Sequence, residues 1–225
     1  MNAHAFNLAG AELTALPSGA LWWAREQLLC ASDLHLCKTE RMMRRGGAML
    51  PPYETRDTLA RLDADIAATS ARTVICLGDS FDDLAAAQAI CDEDRTWLTR
   101  MQAGRSWIWV EGNHDPGPID LGGSHRREVT IGSLTFRHIA DPKASGELSG
   151  HYHPKARLQA RGRMISRPCF VSDSTRTILP AYGTYTGGLD WTNQAFAGLF
   201  GPDAQAFLTG RTVTAVPLPH RQAAE

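Results

Sequence analysis

Leu28-Leu29-Cys30-Ala31-Ser32-Asp33-Leu34-His35 begins as an unbroken apolar run and ends in two side chains of metal-binding type. A short run that is apolar on both faces reads as a strand buried between two layers. Its polar end then falls at the strand tip, where layered α/β proteins gather their functional loops. The pattern recurs twice. Thr73 to Leu77 reads as a strand ending at Gly78-Asp79, and Ser106 to Val110 as a strand ending at Gly112-Asn113-His114-Asp115. Between them, Leu59, Leu62 and Ile66 recur at helical spacing, which predicts a core-facing helix over Thr55 to Ser70. The Ala-rich stretch Asp82 to Met101 carries Asp82 and Asp83 at its start, as a helix N-terminus prefers, and predicts a second helix.

Working outward, Phe6 to Trp23 mixes short apolar stretches with Gly10, Pro17 and Gly19, which predicts short antiparallel strands covering a sheet edge. Beyond Pro118 the helical signal fades. Glu128 to Ile131, Leu134 to Ile139, Glu147 to Ser149, Cys169 to Ser172, Thr175 to Leu179 and Thr212 to Val216 read as strands. The chain of 225 residues, 43% of them hydrophobic, is long enough to bury one sizeable core, and a single domain over 1–225 is expected. With 23 Lys plus Arg against 24 Asp plus Glu, no overall field draws in a polyanion, so any grip on nucleic acid must be local. No apolar run reaches the roughly 18 residues of a membrane span, and the start lacks the pattern of a secretory signal. Five cysteines without a CxxC pair argue against a disulfide framework, with Cys30 and Cys76 read as small core residues. A cytoplasmic location is expected, with no membrane partner.

Five of the eight histidines fall within five islands: Asp33-Leu34-His35, Gly78-Asp79, Gly112-Asn113-His114-Asp115, His138 and Gly150-His151-Tyr152-His153. Imidazole nitrogen with carboxylate and amide oxygen is the donor mixture that suits Mn²⁺, Fe²⁺ and Zn²⁺. Asp33 and His35, at i and i+2 of an extended segment, are expected on one side, gripping one metal. Asp79, on a strand-end turn after Gly78, is the natural carboxylate to bridge two.

In this order the islands resemble the motifs of the calcineurin-like metallophosphoesterase superfamily: Asp-x-His, Gly-Asp, Gly-Asn-His-Asp/Glu, a lone His and Gly-His-x-His. The resemblance implies an α+β fold, a four-layer α/β/β/α sandwich with two mixed β-sheets. It implies Asp33, His35 and His153 on one divalent ion, Asn113, His138 and His151 on the other, and Asp79 between them. His114 would then be the general acid and Asp115 its orienting partner. Manganese is the expected metal, with zinc and iron fitting the same donors.

Further along, Gly150 to Lys155, Arg167-Pro168-Cys169-Phe170 and Pro180 to Leu189 are similar to the ligase-associated DNA-damage-response endonucleases. These are bacterial metallophosphoesterases encoded beside an ATP-dependent DNA ligase and a helicase. That likeness implies a phosphodiesterase acting as a nuclease in DNA repair, DNA as substrate, and the ligase and helicase as partners. The Tyr185-Thr186-Gly187-Gly188 segment reads either as a substrate loop or as a turn needing positive φ at its glycines.

Two basic stretches flank the islands: Lys38, Arg41, Arg44 and Arg45, and then Lys155, Arg157, Arg161, Arg163 and Arg167. Arg44, Arg45, Lys155 and Arg157 are the candidate phosphate contacts, against the reading of both stretches as ordinary solvated surface. Tyr53 and Tyr152 are available for base stacking. The alternative function is a small-molecule phosphatase or nucleotide phosphodiesterase using the same metals.

Overall fold

A computed structural model describes residues 2–47, 51–160 and 162–219; Arg161 and His220 lie outside the described residues. The first sheet runs in spatial order through β1 (His4–Leu8), β2 (Ala11–Ala15), β3 (Leu21–Trp23), β4 (Leu28–Ala31), β5 (Thr73–Leu77), β6 (Ser106–Val110) and β7 (Ser124–Arg126). Its N-terminal strands pair antiparallel, while β4 to β7 are parallel neighbours. Parallel neighbours need crossovers: α1 (Lys38–Arg44) and α2 (Glu54–Thr69) join β4 to β5, α3 (Leu84–Gln88) and α4 (Asp92–Gln102) join β5 to β6, and a loop joins β6 to β7. The predicted N-terminal strands thus form the sheet edge, and the predicted strands at β5 and β6 have the expected bounds.

The second sheet is built from β8 (Glu128–Ile131), β9 (Leu134–Arg137), β10 (Glu147–Ser149), β12 (Arg163–Ser172), β13 (Arg176–Ile178), β14 (Gln205–Leu208) and β15 (Thr214–Pro217). Its order is β15-β14-β12-β13-β10-β9-β8, with β11 (Lys155–Ala160) paired to β12 alone. It is also mixed: β13, β10 and β9 are parallel and the other pairs antiparallel.

Alternation along each central strand sorts side chains into layers. In the first sheet, Leu29, Ala31, Val74, Cys76, Trp107 and Trp109 pack against Leu59, Leu62 and Ile66 of α2 and Leu98 and Met101 of α4. Leu28, Cys30, Ile75, Leu77 and Val110 face the other way, onto Leu134, Phe136, Leu148, Phe170 and Phe207 of the second sheet. The second sheet repeats the device, with Cys169, Val171, Ala206 and Leu208 outward against Trp191. The sandwich of two mixed sheets is therefore present. Helices cover its first face, whereas Trp191, the 3-10 turn Gln194–Phe196 and Leu199 cover the second. Cys30 and Cys76 are buried free thiols, and burial pushes both pKa values up. No helix among the described residues is long and apolar enough to cross a membrane.

The helix expected over Asp82 to Met101 is two helices, broken at residues 89–91. Asp83 caps α3 by accepting the N–H of Ala86 at 2.8 Å. Asp92, Glu93 and Asp94 occupy the first turn of α4, and three acids there meet the positive end of a helix dipole. In mid-helix the same acids would only repel. The strand expected over Cys169 to Ser172 extends back to Arg163 through Pro168, which stands opposite Lys155 in the β11–β12 hairpin. Strands β7 and β14 carry no period-2 run of apolar residues and α1 hides in a basic stretch, so their sequence signals were weak; β11 does alternate, with Ala156, Leu158 and Ala160 between Lys155, Arg157 and Gln159, and its signal was passed over as a run of charges.

Candidate metal centre

The loops after β4, β5 and β6 meet those after β9 and β10 at one edge of the sandwich, and five islands become one cluster. Donor atoms of Asp33, His35 and His153 lie within 4.8 Å of one another, as do those of Asp79, His138 and His151. His35 Nε2 is 3.3 Å from His153 Nε2, which is 3.1 Å from Asp33 Oδ1. In the second set, His138 Nε2 lies 3.0 Å from Asn113 Oδ1 and 3.4 Å from Asp79 Oδ2. Asp79 Oδ2 is also 4.0 Å from His35 Nε2, so one carboxylate stands between the two sets.

Hydrogen bonds behind the cluster aim the rings. His35 Nδ1 meets Asp82 Oδ1 at 2.9 Å and His138 Nδ1 meets the Leu77 carbonyl at 3.2 Å. Each Nδ1–H then has an acceptor, and each Nε2 lone pair turns inward. Asp82 is itself held by Arg41 Nη1 at 2.7 Å. Sequence reading placed Asp82 at a helix N-terminus and missed this role. The signal was its place three residues after Asp79.

The charges favour a cation here. Burial opposes the ionised form of Asp79, yet the hydrogen bond and charge of His138 win and hold its carboxyl down at about 2. Burial likewise opposes ionised Asp33, and the hydrogen bond and charge of His153 hold it below its ordinary value. Burial also works against protonated His138, but Asp79 and Asp33 raise its pKa. Buried carboxylates that raise the pKa of a buried imidazole mark a pocket short of positive charge. Converging nitrogen and oxygen donors of this kind fit divalent ions of the manganese, iron and zinc group.

The ligand loops are not extended, which corrects the reading of Asp33 and His35. Asp33, His35, Asp79, His151 and His153 all have left-handed backbones, with φ between +44° and +68°. Such conformations cost of order 1–3 kcal/mol each for residues with side chains and persist only where surroundings over-determine them. Here Asp33 N–H donates to Gly78 O at 3.2 Å, His35 N–H to Asp79 O at 2.9 Å and Leu36 N–H to Ser80 O at 2.9 Å. Leu34 and Leu36 are buried between, anchoring the loop. Close approach also explains Gly150, where a β-carbon would sit 1.8 Å from Ser32 Oγ and 2.5 Å from Asp33 Oδ2.

His114 lies at the cluster's edge, its ring 5.1 Å from that of His35, and its Nδ1 meets the Asp82 main-chain oxygen at 2.8 Å. Asp115 does not orient it. The Asp115 carboxylate instead accepts N–H bonds from Ser80 at 2.8 Å, Phe81 at 3.1 Å and Gly112 at 3.1 Å, stapling two ligand loops together. Burial pushes its pKa up to about 7 against the pull of those donors.

The basic stretches are rearranged by the fold. Arg44 is held between Glu40 at 3.0 Å and Asp83 at 2.8 Å, Arg41 binds Asp82, and Arg45 lies 3.8 Å from Asp83. Carboxylates thus intersperse the cations of α1, and Arg44 is not a free phosphate arm. Lys155 Nζ donates to Thr186 O at 3.0 Å, and Arg157, largely exposed, lies 3.4 Å from Asp190. In the β11–β12 ladder Arg157 stands opposite Ser166, whereas Arg167 stands opposite Ala156. Alternation therefore sends Lys155 and Arg157 to one face of the hairpin and Arg163 and Arg167 to the other.

Tyr152 packs on His151 and Phe196, while Tyr53 is exposed and its ring lies 5.7 Å from that of Tyr185. Gly187 and Gly188 do not have positive φ. Gly188 is required because a β-carbon there would meet His153 O at 2.3 Å.

No protein-family model matches this chain, and no curated protein matches it in sequence. Among solved structures, a Pseudomonas putida nuclease, MPE, is similar over 95% of this chain and 100% of its own, with 28% identity and a TM-score of 0.75. A phosphoesterase from E. coli, YfcE, aligns over 85% of this chain and 99% of its own, at 12% identity and a TM-score of 0.38, too slight an overlap to bear on the fold.

Proposed function

We propose that this chain, a metallophosphoesterase-type hydrolase, is a two-metal phosphodiesterase whose substrate is nucleic acid, with DNA favoured. One observation carries the reading: Asp79 Oδ2 lies within 4.0 Å of nitrogen donors from both ligand sets, 3.4 Å from His138 and 4.0 Å from His35. A single carboxylate so placed suits a bridge between two cations. In this reading Asp33, His35 and His153 hold one ion, Asn113, His138 and His151 the other, and Asp79 both. Manganese is the proposed metal. Bound there, the pair supplies Lewis acidity and charge neutralisation for displacement at phosphorus.

The chain's own residues supply the rest. His114 keeps its Nδ1–H on the Asp82 carbonyl, and as an imidazolium it carries a second proton on Nε2 to give to the departing alkoxide. Asp82 acts on both His35 and His114, holding the metal ligand by its side chain and the acid by its main chain. The nucleic-acid substrate is supported by the full-length likeness to the Pseudomonas putida nuclease. A place in DNA repair beside a ligase and a helicase, in the cytoplasm, is the finer reading that the motif resemblance supports.

A small-phosphoester hydrolase is the second reading, favoured by one observation. The cations of α1 are paired to Glu40, Asp82 and Asp83, so this side of the site offers little free positive charge to a polyanion.

Both readings meet in one experiment. Metal-stripped protein is reloaded with Mn²⁺, Zn²⁺ or Fe²⁺ and tested on an oligonucleotide, a mononucleotide monoester and an aryl phosphodiester. Cleavage of the oligonucleotide and the aryl diester with Mn²⁺ is expected. Turnover of the mononucleotide without oligonucleotide cleavage moves the conclusion to the second reading, and no turnover under any metal overturns both.

A further inference from the structure

On the Asn113 and His138 side of the centre, the structure holds an arginine that no reading above uses. Glu128 pairs with Arg137 across the β8–β9 ladder. The ladder ends at that pair, and Arg127 and His138 flank it, one just before β8 and the other just after β9. A cavity of about 350 Å³ opens there, lined by Asn113, His138, Arg127, Glu111, Arg137 and Ile139. It therefore adjoins two of the proposed ligands of the second ion.

The walls divide by chemistry. Arg137 is committed: its guanidinium lies 3.0 Å from Glu128, 3.3 Å from Asp141 and 3.5 Å from buried Glu147. Arg127 is exposed, and among the described residues it has no carboxylate within salt-bridge distance. Glu111, across the same cavity, is likewise without a cationic partner among the described residues. A guanidinium and a carboxylate that share a cavity without pairing are both available to a ligand. Ile139 adds an apolar wall and is 47% exposed, a large fraction for an aliphatic side chain beside a buried site.

We propose that this cavity is a nucleotide subsite for the unit attached to the scissile phosphate on the His138 side. Arg127 takes the next phosphate, for which its planar fork is suited. Glu111 accepts a hydrogen bond from an N–H of the base, and Ile139 packs on the base or sugar. The volume falls within the roughly 300–1,000 Å³ of small-ligand sites and admits one nucleotide. The proposal rests on the phosphodiesterase reading of the centre and adds what the centre reads beyond the scissile bond.

The test uses inhibition, so that it does not depend on the protein cutting an oligonucleotide. Turnover of an aryl phosphodiester by the Mn²⁺-loaded full chain is inhibited with thymidine 5′-phosphate, thymidine 3′-phosphate and thymidine 3′,5′-bisphosphate. One phosphate occupies the centre, and only the bisphosphate carries a second for Arg127. The bisphosphate is expected to bind about ten-fold more tightly than either monophosphate, the size of one charge-assisted contact. Arg127→Ala should abolish that margin and Arg127→Lys should keep part of it, with folding of each variant checked by its thermal midpoint. No margin in the natural chain, or a margin that survives Arg127→Ala, overturns the subsite. Oligonucleotide cleavage is scored separately: a margin without cleavage keeps the subsite and removes the nuclease, and cleavage without a margin does the reverse.

Discussion

The Nδ1 of His114 lies 2.8 Å from the main-chain oxygen of Asp82, whose side chain meets Nδ1 of His35 at 2.9 Å. One residue thereby sets the tautomer of the proposed proton donor and of a proposed metal ligand. The two imidazoles are coupled through Asp82, and Asp115 is excluded from the role that sequence order assigned to it.

If His114 donates the proton, His114→Ala keeps both metals and loses rate. The loss should be about 10²–10⁴-fold on an oligonucleotide and smaller on an aryl diester, whose leaving group needs no proton. Metal analysis beside the two rates checks this. Equal losses would remove His114 from the role.

Asp79→Asn should behave differently, because it removes the shared negative charge between the two ligand sets. Metal content should fall below two ions per chain, and activity should collapse on every ester. Full metal occupancy with full activity would be incompatible with a bridging Asp79.

Gly150→Ala tests the packing of one ligand loop on another. Its β-carbon would meet Ser32 Oγ at 1.8 Å and Asp33 Oδ2 at 2.5 Å. Overpacking of this kind costs about 1–3 kcal/mol, so a lower thermal midpoint and weaker metal retention are expected. Gly187→Ala has open space around it and no positive φ, and should leave both unchanged. Equal midpoints for the two variants would contradict the close packing.

The hairpin's two faces predict unequal roles for its cations. Replacing Lys155 and Arg157 by Ala should flatten the salt dependence of oligonucleotide binding, because fewer counterions are released. Replacing Arg163 and Arg167, on the opposite face, should change the slope less. Binding titrated over several salt concentrations reads the slopes, and the reverse order would put the strand on the other face.

Far from the centre, Asp173 accepts N–H bonds from Thr175 at 2.7 Å, Arg176 at 2.9 Å and Gly201 at 2.8 Å. Burial works against its charge, but these bonds hold its carboxyl below the ordinary 3.8. A depressed folded pKa contributes stability above the unfolded value and loses it as pH falls through the folded one. Asp173→Ala should therefore lower the thermal midpoint near neutral pH, with a stability difference of about 1–3 kcal/mol. That difference should shrink below about pH 4. A gap that stays constant down to about pH 2 would mean the carboxylate's charge contributes nothing.

What the sequence determined by itself is local: buried strands at β4, β5 and β6, a helix at α2, and the residue types gathered at the strand tips. Period-2 and period-3.6 patterns depend only on neighbours along the chain, so they are legible before any contact is known. The motif order then pointed to the two-sheet sandwich. Tertiary structure alone decided the rest. Left-handed backbones at Asp33 and His35 survive because residues 78 to 80 hold them by main-chain bonds. Asp115 turned to main-chain donors because Ser80 and Phe81, over thirty residues away, offered two N–H groups to one oxygen. The basic stretch was divided by the register of a hairpin, and Arg127 was brought to the cavity of His138 at the end of the ladder between two other strands. Each of these depends on partners distant in the chain, whose energies exist only once the loops have closed.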